Sequence, residues 1–540
     1  MSATAGVYSR LRVTDPARWL ANALAWRRWA ALAGVLCGEF GPLLARLRSS
    51  WSGSAAEAAT ARLIALSRRL AFFRVLCWRA DQALSEFAAA LTRARVMLDR
   101  ARASAARAGL TIDDSGVVRA PAVLSAGPSA GPSSGPGLKT GADSGAGAGA
   151  GSRSAAEIAA DCRAVAAELA AALEIAATAD ATAATRLAAL AAVPDAPTVT
   201  TFPGCDADPA EVRRWWAGFT AAERDWLLVT DAEALAGVEG IPVADRDIAN
   251  RLLLDDRRRD LDTMAARGAD PDRIRDLREG LDRLAGRLED DDGPRAYLVG
   301  LGLDGEGRAV VALGDPDRAT HVLTHVPGMT SDLRSLDNEL TRAERVATRS
   351  GELGPAGSTS AVLWLDYDAP DFLHEAFSPR QAREGAVELR RFQEGLRATH
   401  EGGEPARQTV LGHSYGSTVV GSAAAGGRLE ADSLVFVGSP GVGVDSAALL
   451  GVPAEQIWST TSRTDVIQLA REPKGFLPGA ILPNLPPGVE RDLWFGTNPS
   501  HPSFGGRIFA SQPDAGHLGY WDEGRPALDA LARLALGEKP

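Results

Sequence analysis

The sequence predicts an α/β fold with a mostly parallel sheet, preceded by an all-α region. Apolar residues before position 200 repeat at helical intervals, and short β-rich runs separated mostly by helical stretches fill the C-terminal part. The first two runs have hairpin-like spacing, which predicts an antiparallel edge. The runs are residues 296–303, 308–313, 320–326, 361–366, 408–412, 433–438, 456–460 and 507–510.

Composition excludes several classes of protein. Of the 540 residues, 45% are hydrophobic and 24% are charged, so the chain is neither fully disordered nor collagen-like. Its net charge of −11 argues against nucleic acid as the main partner. The four cysteines form no CxxC pair, and no cluster of ligating residues implies a metal or an organic cofactor. No apolar run approaches the roughly 18–20 residues of a transmembrane segment.

The first 119 residues are predicted to form a domain built on an antiparallel helical hairpin. Two apolar stripes, Trp19 to Leu47 and Leu63 to Leu98, alternate spacings of three and four residues, as in a helix packed along a partner. Gly41-Pro42 should kink or break the first helix. Between the stripes, Ser49 to Ser54 forms a turn that carries one aromatic residue, Trp51.

Three further segments follow this domain. Residues 120–154 consist almost wholly of Gly, Pro, Ser and Ala, which predicts a flexible linker. Residues 155–200 contain an Ala-rich helix that we expect to pack back on the hairpin. Residues 201–540 are predicted to form the α/β domain, with a charged helical extension over about 209–290.

The hairpin resembles the WXG-type hairpins associated with type VII secretion, because Trp51-Ser52-Gly53 separates two helices. This resemblance implies secretion machinery or a helical protein as partner, or self-association through the hairpin. The alternative is that Trp51 simply packs in a helix–helix turn. We expect no N-terminal signal peptide, and a protein that is cytoplasmic or exported by a type VII-like route.

One Gly-x-Ser-x-Gly motif lies in a structural context that predicts a nucleophile. Gly412 to Gly416 follows the β-rich run 408–411 and precedes small residues of a helix, the strand–turn–helix pattern of an α/β-hydrolase nucleophile elbow. The tight turn needs the glycines, and the helix N-terminus offers amides to a developing oxyanion. Two other copies, around Ser129 and Ser133, lie in the linker and reflect its composition. Ser414 is therefore the predicted nucleophile.

A serine hydroxyl needs a base, and the order Ser, acid, His leaves two histidines after Ser414. His517 follows the last strand and is the predicted base, whereas His501 precedes that strand. His413 is expected to pack beside the turn, because a residue adjacent to the serine points away. In this arrangement the base receives the serine proton during attack.

The acid should follow a strand between the serine and the base. Asp465 lies within five residues of the run 456–460 and is the predicted acid, while Asp445, after the run 433–438, is the alternative. Backbone amides of Tyr415 and Met329 are the predicted oxyanion hole, with Gly328 as the alternative to Met329. These amides follow the nucleophile and the third strand, respectively.

Residues of about 200–525 resemble an α/β-hydrolase family of poorly defined function that is common in high-GC Gram-positive bacteria. The matching stretches are VRRWW (212–216), GIP (240–242), RDIANR (246–251), VPGM (326–329), WLDYDAP (364–370), GHSYGS (412–417) and GSPG (438–441). The resemblance implies the fold and a Ser-Asp-His triad but supplies no substrate.

The predicted function is therefore that of a serine hydrolase that cleaves a carboxylic ester, or else an amide or thioester, through an acyl-enzyme. The alternative is a non-catalytic α/β-hydrolase scaffold whose helical domain binds a partner or links to type VII secretion. The order of Ser414, Asp465 and His517 favours the enzyme. Acyl chain length, physiological substrate and oligomeric state carry no signature in the sequence.

Overall fold

An eight-stranded sheet forms the centre of the C-terminal part of the computed structural model. The structure describes residues 3–120, 154–198, 201–204, 206–290, 293–371, 379–467 and 495–540. The predicted linker, 120–154, falls almost wholly outside the described residues. The strands are β1 (Ala296–Gly302), β2 (Arg308–Leu313), β3 (His321–Val326), β4 (Thr359–Leu365), β5 (Arg407–His413), β6 (Ser433–Val437), β7 (Ile457–Thr460) and β8 (Arg507–Ile508).

The order of strands across the sheet is β8-β7-β6-β5-β3-β4-β2-β1. Neighbours from β8 to β4 run parallel, whereas β2 is antiparallel to both β4 and β1. Each predicted β-rich run overlaps one of these strands, so the mostly parallel sheet with an antiparallel edge is confirmed. Because β3, β5 and β6 are neighbours that run parallel, their carboxyl ends lie at the same edge of the sheet.

Helices precede the first strand, separate several of the strands and follow the last one. Their bounds are α1 (Ala3–Val13), α2 (Pro16–Ser50), α3 (Ser54–Arg107), α4 (Ala155–Ala189), α5 (Pro209–Ala217), α6 (Ala221–Thr230), α7 (Ala232–Leu235), α8 (Val243–Ala266), α9 (Pro271–Glu289), α10 (Leu336–Leu353), α11 (Arg380–Thr399), α12 (Gly416–Ala425) and α13 (Pro526–Ala535). A short antiparallel pair, Thr111–Ile112 with Val118–Arg119, follows α3.

The central strands are buried on both faces, which explains their nearly continuous apolar sequences. Successive side chains point to opposite faces of the sheet. Val410 therefore packs in one core with Leu389 of α11 and Val420 of α12, whereas Leu411 packs in another with Leu531 of α13. The two cores therefore cover opposite faces of the sheet.

The described residues form two compact units. The smaller unit comprises residues 1–17 and 87–182, and the larger comprises 18–86 and 183–540. In the smaller unit Ala105 of α3 and Val165 of α4 share a small core with Leu110. The limits of these two compact units differ from the predicted domain limits at residues 119, 154 and 200. The predicted domain limits stay predictions.

Within the larger unit, α2 and the first part of α3 form an antiparallel hairpin. Arg27 pairs with Asp81, and Gly34 lies against Arg74, so residue numbers rise along one helix as they fall along the other. Helix α2 continues through Pro42, so the predicted break does not occur. A proline removes one helical hydrogen bond there, and Pro42 itself is exposed.

By length and composition, α2 is also the one described helix that could cross a membrane. Only 17% of its most apolar 18-residue window is buried. The sequence-based expectation of no transmembrane segment stays a prediction.

A network of buried charges joins the base of the hairpin to the sheet region. Asp81 lies between Arg27, at 3.1 Å, and Arg295, at 2.7 Å. Arg295 also pairs with Asp247 at 2.8 Å, and Asp247 pairs with Arg251 at 2.7 Å. No side chain in this set is more than 3% exposed. We call these five residues the buried ion network.

Apolar contacts surround the buried ion network. Trp78 and Val75 of the hairpin share a core with Trp216 of α5, Leu228 of α6 and Ile248 of α8. The base of the hairpin is thus packed into the larger unit rather than attached to it by a loose connection.

Candidate active site

Ser414 lies in a sharp turn between β5 and α12. Its φ is 53°, a left-handed conformation that is uncommon for residues other than glycine. The Ser414 amide donates to the carbonyl of Val437 on β6, at 3.0 Å, which ties the turn to the neighbouring strand. Ser414 is partly exposed while His413 and Tyr415 are buried, so the turn presents the serine at the carboxyl edge.

Two glycines make this turn possible. A Cβ at Gly412 would lie 2.6 Å from Cα of Ser417, and one at Gly416 would collide with the carbonyl oxygens of Val326 and Pro327. Any larger residue would therefore displace backbone. The glycine spacing that identified the turn in the sequence has this steric cause.

Asp465 and His517 form a hydrogen-bonded pair at the same edge. The distance between His517 Nδ1 and Asp465 Oδ1 is 2.7 Å. The carboxylate is fully buried, whereas a quarter of the His517 side chain is exposed. Because a carboxylate only accepts, Nδ1 carries the proton, which leaves Nε2 as the acceptor of the neutral ring. This is the tautomer that a general base requires.

Further donors hold Asp465 as an anion. The Tyr520 hydroxyl donates to Oδ2 at 2.6 Å, and the Ile467 amide donates to Oδ1 at 2.9 Å. Burial raises the pKa of Asp465, but the hydrogen bonds from His517, Tyr520 and Ile467 outweigh it, so the pKa lies below its ordinary value. The buried carboxylate is therefore ionised at neutral pH.

The loops that carry the acid and the histidine are cross-linked. The Thr464 amide donates to the carbonyl of Pro513 at 3.1 Å, and the Gly516 amide donates back to Thr464 Oγ1 at 3.0 Å. The Ser462 amide donates to the Tyr520 hydroxyl at 2.8 Å. These bonds set the separation of the two loops before any substrate binds.

The sequence alternatives for the acid and the base lie apart from this pair. Asp445 is exposed and accepts from the amide and hydroxyl of Thr497, at 3.0 and 3.1 Å. His501 is also exposed, and its Nδ1 lies 2.6 Å from Ser503 Oγ in a short helical turn. Each is bonded to a residue outside the Asp465–His517 pair, so the geometry favours Asp465 and His517.

Two further glycines allow close approach around the site. A Cβ at Gly328 would lie 2.6 Å from Cβ of Ser414 and 3.2 Å from its Oγ. Gly438, with φ +54°, ends β6, and a Cβ there would lie 2.8 Å from Oδ2 of Asp465 and 3.3 Å from Nδ1 of His517. The loops after β3 and β6 therefore touch the serine and the Asp–His pair.

Among the described residues, no hydrogen bond joins Ser414 Oγ to His517. The His517 ring lies 4.8 Å from the ring of His413, the residue next to the serine. In structures without substrate, the contact between nucleophile and base is often long and tightens when substrate binds.

His413 packs behind the pair, as predicted for a neighbour of the turn. Its Nε2 lies 3.0 Å from the carbonyl oxygen of His517, and its ring meets Trp521 edge-on at 4.9 Å. Burial, and then the neighbouring His517, lower the pKa of His413 to about 3. The ring is therefore neutral at pH 7, and its Nε2–H donates to the backbone of the histidine loop.

The loop after β3 carries the predicted second oxyanion donor, Met329. The Tyr367 hydroxyl donates to the carbonyl of Pro327 at 2.6 Å, and the Thr330 amide donates to that of Pro370 at 2.9 Å. Thr330 has φ 63°, so the loop turns sharply directly after Met329. Within the described part of the chain, the Met329 amide has no acceptor. These contacts position the loop beside Ser414.

Comparison with known proteins agrees with this architecture. Residues 304–473 match a family model described as alpha/beta hydrolase. An uncharacterized protein of Mycobacterium bovis is 33% identical over 193 residues, which cover 70% of that protein and 34% of this chain. This chain belongs to an α/β-hydrolase family.

A longer alignment relates this chain to an uncharacterized protein of Mycobacterium tuberculosis. The two are 30% identical over 382 residues, which cover 64% of this chain and 58% of the relative. The chain thus spans less than two thirds of the length of that relative. No solved structure matches the chain significantly. The expectation of a poorly defined actinobacterial hydrolase family is confirmed.

Acidic side chains lie near the loop that carries Met329: Asp332 is three residues beyond it, and Asp371 follows Pro370, which accepts a hydrogen bond from the Thr330 amide. Burial, together with a hydrogen bond and charge from Asp371, raises the pKa of Glu306 to about 7, and Asp332 and Asp368 act in the same direction. This rim repels additional negative charge. No three His, Cys, Asp or Glu side chains within the described ranges are arranged to hold a metal ion.

The roles of Tyr520 and Gly438 in the candidate site were not predicted from the sequence, whereas Tyr367 was expected either to line a cleft or to pack in its loop. Tyr520 supports Asp465, Gly438 lets β6 end against the Asp–His pair, and Tyr367 supports the loop of Met329. Tyr520 follows His517 by three residues, so it could have been proposed as a neighbour of the site once His517 was assigned as the base. Tyr367 and Gly438 each lie just beyond the carboxyl end of a strand, where ligands of α/β folds bind.

Proposed function

We propose that this α/β hydrolase is a serine hydrolase that cleaves a carboxylic ester. The observation that carries the proposal is the 2.7 Å hydrogen bond between His517 Nδ1 and Asp465. It lies at the same sheet edge as Ser414, whose left-handed φ presents a hydroxyl beyond β5. A nucleophile, a base and a group that orients the base are the parts that acyl transfer requires.

The reaction proceeds through an acyl-serine. His517 Nε2 accepts the proton of Ser414 as its Oγ attacks the ester carbonyl, and Asp465 stabilises the resulting imidazolium. The amides of Tyr415 and Met329 stabilise the tetrahedral oxyanion. Collapse breaks the bond to the alcohol oxygen, which takes the proton from His517. Water then attacks the acyl-serine by the same steps and releases the acid.

The substrate class follows from the chemistry and the charge of the site. An alkoxide is a better leaving group than an amide nitrogen, so an ester is the simplest substrate for a triad with no additional acid. The acidic rim around Glu306 disfavours a substrate with a negative charge near the oxyanion loop. Amides and thioesters are the other acyl compounds that this arrangement can attack.

The test is labelling with a fluorophosphonate probe, followed by turnover of p-nitrophenyl esters of increasing acyl length. We expect wild-type protein to be labelled and Ser414→Ala to remain unlabelled. Ser133→Ala is the matched control, since it changes another Gly-x-Ser-x-Gly motif that lies in the linker sequence. Absence of both labelling and turnover in the wild type would favour a non-catalytic scaffold whose helical region binds a partner.

A further inference from the structure

The outer part of the hairpin exposes an unusual amount of apolar surface. We call residues 29–73 the hairpin tip. Half of the large apolar side chains that are exposed in the described chain lie in these 45 residues. They are Trp29, Leu32, Val35, Leu36, Leu43, Trp51, Ile64, Leu66 and Phe73, each 39–67% exposed. Such a concentration marks an interaction surface, whereas scattered exposed apolar residues do not.

The exposed residues form stripes on the two helices. On α2, Trp29, Leu32, Leu36 and Leu43 recur at intervals of three, four and seven residues, which places them on one face. On α3, Leu66 and Phe73 are seven residues apart and also share a face. The hairpin therefore presents an apolar surface on each helix.

The hairpin tip is basic although the whole chain is acidic. It contains five arginines and two glutamates, a net charge of +3, in a protein with a net charge of −11. The arginines are Arg46, Arg48, Arg62, Arg68 and Arg69. Arg62 and Arg69 lie four residues before and three residues after Leu66 on α3, so they share its helix face and adjoin its exposed apolar side chains. Long arginine side chains can cover apolar surface while the charge reaches polar groups.

We propose that the hairpin tip binds the surface of an anionic lipid bilayer. Apolar side chains such as Leu36 and Leu66 would enter the boundary between headgroups and acyl chains, and the arginines would contact lipid phosphates. Trp51, 47% exposed in the turn between the helices, has the amphipathic ring that is typical of this boundary. This inference goes beyond the proposed ester hydrolysis and does not depend on Ser414.

The charge of the hairpin tip and the buried base of the hairpin favour a lipid surface over a second copy of the tip and over a membrane-spanning α2. A second copy of the tip would bring the same positive charge, whereas anionic lipid compensates it. A membrane-spanning α2 conflicts with Arg27, whose guanidinium is held by Asp81 in the buried ion network. Spanning would also carry Arg62 and Arg69 of α3 into the hydrocarbon, which is costly.

The first experiment is co-sedimentation of the full chain with vesicles. We expect binding to vesicles of phosphatidylglycerol mixed with phosphatidylcholine, weak binding to pure phosphatidylcholine, and release from the anionic vesicles as salt is raised. Failure to bind anionic vesicles at low salt would overturn the proposal. Equal binding to both kinds of vesicle would overturn its electrostatic part.

Paired variants separate the apolar and charged contributions. Leu36→Asp with Leu66→Asp should weaken vesicle binding at least tenfold. The matched control is Val387→Asp with Leu449→Asp, two residues of similar exposure outside the hairpin, and it should leave binding unchanged. Arg46→Gln with Arg48→Gln should weaken binding roughly fivefold per arginine, whereas Arg275→Gln with Arg283→Gln should have little effect.

The same variants distinguish lipid from a protein occupant. Sedimentation velocity of the free protein should show a species whose mass does not change in Leu36→Asp with Leu66→Asp. A dimer that these substitutions dissociate, without vesicle binding by the wild type, would assign the tip to a second copy and overturn the proposal. Melting curves of each variant establish that the larger unit remains folded, and retained ester turnover in the binding-deficient variant would separate this surface from the candidate triad.

Discussion

Two groups of buried charges in the larger unit differ in how completely the protein surrounds them. In the buried ion network, Asp81 and Asp247 are each paired with two arginines, and no member is more than 3% exposed. In the candidate active site, Asp465 is equally buried, but its partner His517 keeps a quarter of its side chain exposed. All members of the buried ion network are buried, whereas in the candidate active site a buried carboxylate is bonded to a partly exposed histidine.

The two arrangements differ in what their buried carboxylates can do. For Asp81 and Asp247, burial raises the pKa and the neighbouring arginines lower it more, so both remain ionised inside the protein. Their charges are fully used in holding the hairpin to the sheet region. Asp465 is likewise held as an anion, but its charge acts on a histidine that can exchange a proton with a bound molecule.

The largest expected effect is a loss of ester turnover in variants of the candidate active site. Ser414→Ala should reduce ester turnover roughly 10⁴–10⁶-fold while changing the free energy of unfolding by about 0.5 kcal/mol or less. His517→Ala should cost nearly as much and Asp465→Asn somewhat less, because the acid orients the base and does not itself react. The measurements are p-nitrophenyl ester turnover and thermal melting. Unchanged turnover in Ser414→Ala would remove the nucleophile assignment.

A variant of the buried ion network should lose stability and keep its turnover. Asp81→Asn leaves Arg27 and Arg295 without their shared carboxylate and should lower the free energy of unfolding by about 3–5 kcal/mol. Turnover per folded molecule should change little. Urea unfolding measures the first quantity and active-site titration the second. Asp272→Asn, which changes an exposed pair on α9, is the control, with an expected effect below about 0.5 kcal/mol. An Asp81 variant as stable as this control would contradict a structural role for the network.

The neutral His413 should make stability depend on pH. Its pKa falls from 6.5 in the unfolded chain to about 3 in the folded protein, so between these values the unfolded state binds more protons. Through this histidine, stability should decrease as pH falls below about 6.5, by up to about 1.4 kcal/mol per pH unit. Carboxylates with raised pKa values, such as Glu306 at about 7, titrate in the same range and act in the opposite direction, so the wild type must be compared with His413→Gln. In urea unfolding between about pH 7 and 5, the wild type should lose stability relative to the variant as pH falls, and parallel pH dependences would contradict a role for His413.

The smallest expected effect comes from removing one hydroxyl beside Asp465. Tyr520→Phe deletes the donor to Oδ2 and the acceptor of the Ser462 amide, and should cost about 1–2 kcal/mol of stability. The Asp465 pKa should rise, which an NMR titration of its carboxyl carbon measures. Tyr367→Phe, which loses its bond to Pro327, is the matched comparison and should lower kcat without changing the Asp465 pKa. An Asp465 pKa that is the same in both variants would show that Tyr520 does not act on Asp465.

The candidate site was predictable from the sequence to different degrees for its different parts. The turn at Ser414 was predictable from the sequence because a tight turn leaves no room for side chains at Gly412 and Gly416, and both lie within five residues of chain. His517 followed from chain order and its place after β8. Asp465 and Asp445 remained alternatives, since each follows a strand, and it is the folding of the loop after β7 against that of His517 that distinguishes them.

Strand patterning and glycine spacing are local properties of the chain, so they were enough to predict the fold class, the strands and the position of the candidate nucleophile. The packing of the base of the hairpin into the larger unit, and the support that Tyr520 and Gly438 give to the Asp–His pair, are visible only in the folded chain. Arg295 and Asp81 are separated by 214 residues, and their pairing has no short-range pattern. Buried charges select partners by proximity in the folded chain, so their arrangement could be known only once the elements had packed.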